Sequence, residues 1–170
     1  VISRGKFIAN GAALAVAFSV YETRKRTTSE LVILAQNIDE GSFNGWLAAN
    51  GVSYDQIAAM WQTESAGNPR ATNFTAGDGR QGGSWGIGQV TALTATDYRL
   101  PRIFAPIMLY PKIGARLSMS HIRAVIIGLR RAGFSGSHSE WVHAYNVGLT
   151  GFINGRRNVA HYQRFLTHLT

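Results

Sequence analysis

On the stretch from Tyr54 to Ser65, Ile57, Met60 and Trp61 recur at spacings of three and four, and Glu64 takes the next position on the same stripe. A carboxyl group therefore falls where a core side chain is expected. Desolvation disfavours the charged form, so a carboxyl group against apolar surface keeps its proton above the reference of about 4.3. A glutamic acid still protonated near neutral pH can donate to a leaving oxygen and, once ionised, take a proton back. A glutamate in the last turn of a helix can also simply reach solvent, and periodicity alone leaves both readings open.

Other chemistries find less support. There is no cysteine, so disulfides and thiolate metal sites are excluded. The five histidines, His121, His138, His143, His161 and His168, show no HExxH or comparable ligand spacing. They read as surface or packing residues, and neither a metal nor a cofactor is expected.

Glu64-Ser65 is followed by a glycine-rich stretch, then by Gly86-Ile87-Gly88-Gln89, and about 55 residues later by Ala144-Tyr145-Asn146-Val147-Gly148. In this order the three elements resemble the ES, GLMQ and AYNAG signatures of lytic transglycosylases with a soluble-lytic-transglycosylase (SLT) domain, in the lysozyme-like superfamily. The resemblance begins near Phe43, passes through Pro111-Lys112-Ile113-Gly114-Ala115-Arg116, and ends at His161-Tyr162-Gln163-Arg164-Phe165, about three quarters of the chain. Each motif is short, and their order and spacing carry the likeness.

The resemblance implies a peptidoglycan substrate, with Glu64 as the acid and base at the bond between MurNAc and GlcNAc. It implies that Ser65 and Gln89, with Gly86, Ile87, Gly88 and Asn146, line the sugar cleft, and that Tyr145 hydrogen-bonds and orients the carboxyl group. By itself Tyr145 also reads as a core aromatic beside Trp141, and Asn146 as a local hydrogen-bonding residue. Gly86 and Gly88 are expected where a Cβ would intrude on a polymer passing close to the backbone.

Two positions depart from the signatures. Gly88 stands where the GLMQ motif has methionine. The segment Gly77-Asp78-Gly79 also resembles goose-type lysozymes, which carry one aspartate here and another just after GLMQ; Asp78 matches the first, and Thr91 stands at the second. Three readings stay open: a transglycosylase that closes a 1,6-anhydro ring, a goose-type hydrolase using Glu64 and Asp78, and a non-catalytic sugar-binding or structural protein of the same fold.

The elements that must position these residues are helical. Ser53 and Gln56 form a capping-box pair ahead of a helix from Tyr54 to about Ser65. Further helices are expected over Thr28–Ile38, broken by Asp39-Glu40-Gly41-Ser42, then over Phe43–Asn50, Thr91–Tyr98, Lys112–Arg131, Ser139–Val147 and Val159–Leu169. Between Asn68 and Trp85 the glycines describe a loop or small irregular hairpin. The fold class is mostly α, an α+β lysozyme-like domain over residues 42–170, preceded by a leader and linker helix over residues 1–41.

With 170 residues and 45% hydrophobic content the chain can bury one ordinary core. Seventeen Lys and Arg against nine Asp and Glu give +8, which favours a polyanionic partner or surface. A specific nucleic-acid role would rest on that charge alone, since no zinc-finger or RNA-recognition signature is present. Phe7 to Tyr21 is uncharged and flanked by basic residues, yet shorter than the about 20 residues of a membrane span. It suits membrane contact or packing in a larger assembly, and the expected location is the cell envelope or periplasm, or a virion.

Overall fold

The structure is a computed structural model that describes residues 24–75, 82–97 and 102–169. The apolar stretch 7–21 and Asp78 lie outside the described residues.

Helix α1, Thr28–Phe43, starts at a capping box in which the Thr27 N–H donates to Glu30 Oε2 at 2.8 Å and the Glu30 N–H to Thr27 Oγ1 at 3.3 Å. It runs straight through the expected break. The reason lies in Asp39, which faces inward, fully buried, and accepts the Leu47 N–H at 3.1 Å and the Ala48 N–H at 3.0 Å. Its carboxylate thus serves the open N–H groups of the next helix, α2, Trp46–Ala49. The turn between them is made by Asn44 and Gly45 in left-handed conformation. Leu31, Leu34, Ala35 and Ile38 on α1 belong to the main core, so the division expected at residue 41 falls inside a core helix.

Removing the Asp39 carboxylate strands a buried donor at Leu47 and a partly buried one at Ala48. Asp39→Ala is expected to destabilise the fold by about 3 kcal/mol, because bonds to a charged acceptor contribute about 1.5–3 kcal/mol each and a buried unmade bond is costly. A chemical or thermal unfolding midpoint unchanged from the parent chain would contradict this account.

Helix α3, Tyr54–Ser65, carries the expected Ser53–Gln56 capping box at its start. Its Ile57, Ala58, Ala59, Met60 and Trp61 are all buried between α1 and the C-terminal helix α8, Val159–His168. The long helix α5, Pro111–Arg131, buries Ala115, Met119, Ile122, Ile126 and Leu129, and α6, His138–Val147, adds Trp141, Val142, Ala144 and Tyr145 to the same core. Gly148 breaks α6 before the short α7, Leu149–Ile153.

The glycine-rich region holds a three-stranded antiparallel sheet in the order β1, Thr72–Asn73, β2, Ser84–Trp85, and β3, Val90–Thr91. Thr72 pairs with Trp85, and Ser84 pairs with both Asn73 and Thr91. The chain continues through α4, Ala92–Asp97, and a 3₁₀ helix, Arg102–Leu109. Val90, Ala92, Ala95, Ala105 and Met108 form a small second core beneath the sheet. Among the described residues no helix is long and apolar enough to cross a membrane.

Candidate active site

Because α3 buries Ile57, Met60 and Trp61 on one face, the next position of that face emerges at the domain's surface, and Glu64 stands there with a side chain 13% exposed. It opens onto a polar cleft of about 470 Å³. The sheet side of the cleft supplies Asn73, Ser84, Gln89, Thr91 and the neighbouring Thr94. The helical side supplies His121 from α5 and Tyr145 and Asn146 from α6.

The cleft floor is organised by a line of buried hydrogen bonds. Trp61 Nε1–H on α3 donates to Ser118 Oγ on α5 at 3.0 Å, and Ser118 is 2.9 Å from the Tyr145 hydroxyl on α6. Tyr145 in turn donates to the Gly88 carbonyl at 2.6 Å. A phenol has one proton to give, and here it goes to Gly88, so Ser118 donates to Tyr145. The bond from the Tyr145 hydroxyl to the Gly88 carbonyl thus fixes the GIGQ turn.

The glycines of that turn also differ from expectation. Gly86 has φ of +75°, and a Cβ there would overlap the Met108 carbonyl. At Gly88 a Cβ would overlap Ser118 Oγ and Cβ and lie 3.0 Å from the Tyr145 hydroxyl. Close approach is what both positions require, but the approaching atoms belong to the protein's own interior rather than to a polymer. Ile87 between them is fully buried in the main core.

Gln89, at φ of +47°, faces the cleft with its amide fully engaged. Its Nε2 donates to the carbonyls of Ala71 and Gly86, both at 2.9 Å, and its Oε1 accepts from Ser84 Oγ at 3.0 Å. Ser65 turns its hydroxyl back to the Trp61 carbonyl at 3.0 Å, and Asn146 accepts from Asn158 Nδ2 at 2.8 Å. The structure therefore gathers Glu64, Gln89, Tyr145 and Asn146 at one cleft. Ser65 stays on its own helix, and Gly86, Ile87 and Gly88 shape the turn from within.

Two of the five histidines, read from the sequence as surface or packing residues, stand beside these cleft residues. His121 lines the cleft, its ring edge-on to Tyr145 with centroids 4.8 Å apart, and burial holds its pKa down to about 4 against the opposing pull of Asp97. His161 on α8 places Nε2 2.7 Å from Glu64 Oε1. A trace of this was present in the sequence, since His161 and Phe165 share one helical face and Phe165 is a core residue. Nothing in spacing, however, links residues 97 positions apart. Among the described residues no cluster of His, Cys, Asp or Glu suits a metal ion.

A mostly helical domain that brings a carboxyl group from the end of a buried helix to a cleft walled by a small antiparallel sheet has the architecture of the lysozyme-like superfamily. The family model described as Transglycosylase SLT domain matches residues 41–165, and the chain belongs to that family. Its class is that of the lytic transglycosylases, which act on peptidoglycan in the cell envelope. No curated protein and no solved structure matches the chain.

Proposed function

We propose that this chain cleaves the β-1,4 bond between MurNAc and GlcNAc with Glu64 as its one acid and base, leaving a 1,6-anhydroMurNAc end. The observation that carries the reading is that Glu64 is the one carboxylate among the described residues lining the cleft. Hydrolytic glycosidases need two, either to activate water or to form a covalent intermediate. At Thr91, where goose-type lysozymes have their second loop aspartate, the cleft offers a hydroxyl bonded to Thr94 Oγ1 at 2.9 Å.

In the proposed reaction protonated Glu64 gives its proton to the glycosidic oxygen as the bond to C1 of MurNAc breaks. The C6 hydroxyl of the same sugar then closes on C1, and its proton passes to the Glu64 carboxylate. One C–O bond breaks, one forms, and the enzyme ends with the proton it began with. No water is consumed. An intramolecular nucleophile supplies by proximity what a second carboxylate supplies in a hydrolase. The charge of +8 and the uncharged stretch from Phe7 to Tyr21 support delivery at the envelope, by a virion or a secretion apparatus.

The product decides the chemistry. A digest of purified peptidoglycan should yield fragments whose MurNAc ends resist borohydride reduction, seen by mass spectrometry with and without the reductant. Asp78→Asn should leave that product and its rate in place. Reducible ends, together with an inactive Asp78→Asn variant, would replace this reading with that of a hydrolase.

A further inference from the structure

The oxygen of Glu64 that meets His161 is not free to do chemistry at the same time, and the imidazole behind it is unusually sealed. The His161 side chain is 2% exposed, with Nε2 2.7 Å from Glu64 Oε1 and a buried Nδ1 that has no hydrogen-bond partner among the described residues. An imidazole can present Nε2–H, Nδ1–H or both. Both the Nδ1–H tautomer and the imidazolium would bury an N–H without an acceptor, which costs the full desolvation of that donor. The remaining form, with Nε2–H and a bare Nδ1, leaves only a lone pair unmatched.

His143 on α6 faces this corner, its Nδ1 accepting the Asn158 N–H at 3.2 Å. Burial first, then the nearby Arg157 guanidinium, hold His143 below the ordinary histidine range. Among the described residues, Glu64 from α3, His143 from α6, Tyr162 on α8 and Arg157 ahead of it are charged or titratable groups at this corner.

Building on Glu64 as the acid and base, we propose that His161 is its positioning residue, a neutral Nε2–H donor that holds Oε1 and leaves Oε2 as the oxygen that gives and takes the proton. A neutral donor suits both halves of the cycle. With Glu64 protonated on Oε2, Oε1 is a carbonyl oxygen that accepts from Nε2–H; with Glu64 ionised, the same bond is kept to a carboxylate oxygen. An imidazolium in this place would instead pair with the carboxylate and retain the proton that Glu64 must donate. His161 thereby fixes the rotamer without a counter-charge, the task the resemblance implies for Tyr145.

The test joins a spectroscopic and a kinetic readout. In the wild-type chain labelled with ¹⁵N-histidine, His161 should show a protonated Nε2 and a bare Nδ1 at neutral pH. An imidazolium or an Nδ1–H tautomer there would overturn the proposal whatever the activity. On soluble, uncross-linked glycan strands, His161→Phe should lower kcat about tenfold to a hundredfold with KM nearly unchanged, the effect of losing a bond to a charged group. His161→Gln, whose amide reaches the same point as a neutral N–H donor, should restore most of that loss. Full kcat in a folded His161→Phe chain, or equal impairment of Phe and Gln variants, would reduce His161 to packing. Should the Phe variant not fold, the nitrogen spectrum and the activity of the Gln variant decide. Glu64→Gln run in parallel separates the two levels: turnover retained there defeats the transglycosylase reading itself, whereas an inactive Glu64→Gln beside a fully active His161→Phe defeats only the role of His161.

Discussion

Glu64→Gln is expected to lower turnover of peptidoglycan by about 10³-fold or more while the chain keeps its fold. The amide preserves the shape of the side chain, and its oxygen can still accept from His161 Nε2, so the contact at 2.7 Å between α3 and α8 survives. What is lost is the ability to release a proton to a glycosidic oxygen and recover one from a hydroxyl. With no second carboxylate among the described cleft residues, no neighbour takes over. Release of soluble muropeptides, followed beside far-UV circular dichroism, reads both halves of the prediction. Turnover within a few-fold of wild type in a folded Gln variant would remove Glu64 from the chemistry.

Gly88→Met, which writes the methionine of the GLMQ signature into this chain, should destabilise it by about 3 kcal/mol or more, a fall in Tm of about 10 °C. A Cβ at this position overlaps Ser118 Oγ and Cβ, so the side chain cannot enter without displacing α5 or the turn. Either movement breaks the bond at 2.6 Å from Tyr145 to the Gly88 carbonyl and the one at 2.9 Å between Ser118 and Tyr145. Ser118→Gly removes the obstructing atoms, and the two sites touch, so their effects should not add. The double variant is expected to melt above Gly88→Met alone. An unchanged melting temperature in the single variant would mean that the turn has slack the close packing denies it.

The helix that carries Glu64 is legible in the sequence because two independent local signals agree on it. Ser53 and Gln56 mark its start, and the stripe of Ile57, Met60 and Trp61 fixes which face is buried, so the exit of Glu64 follows from periodicity. Asp39 shows the limit of such signals. Its neighbours have the composition of a helix break, and the helix continues only because the carboxylate meets N–H groups of Leu47 and Ala48, eight and nine residues on. The three strands escape notice for a different reason, since two residues each are too few for alternation to register. His161 and Gly88 owe their roles to partners that only the folded chain supplies: Glu64, 97 residues away, and Ser118, whose hydroxyl occupies the space beside the turn. Residue type was visible at both positions; the reason for it was not.

The line from Trp61 through Ser118 and Tyr145 to Gly88 joins three helices to the turn between β2 and β3. Considered as a mechanical object, it is a tie-rod across the floor of the groove. Prising the sheet wall from the helical wall would rupture buried hydrogen bonds that no water is at hand to replace, so the groove resists opening under load. Variants that cut the tie should accordingly loosen the sheet wall against the helical wall before the domain as a whole unfolds.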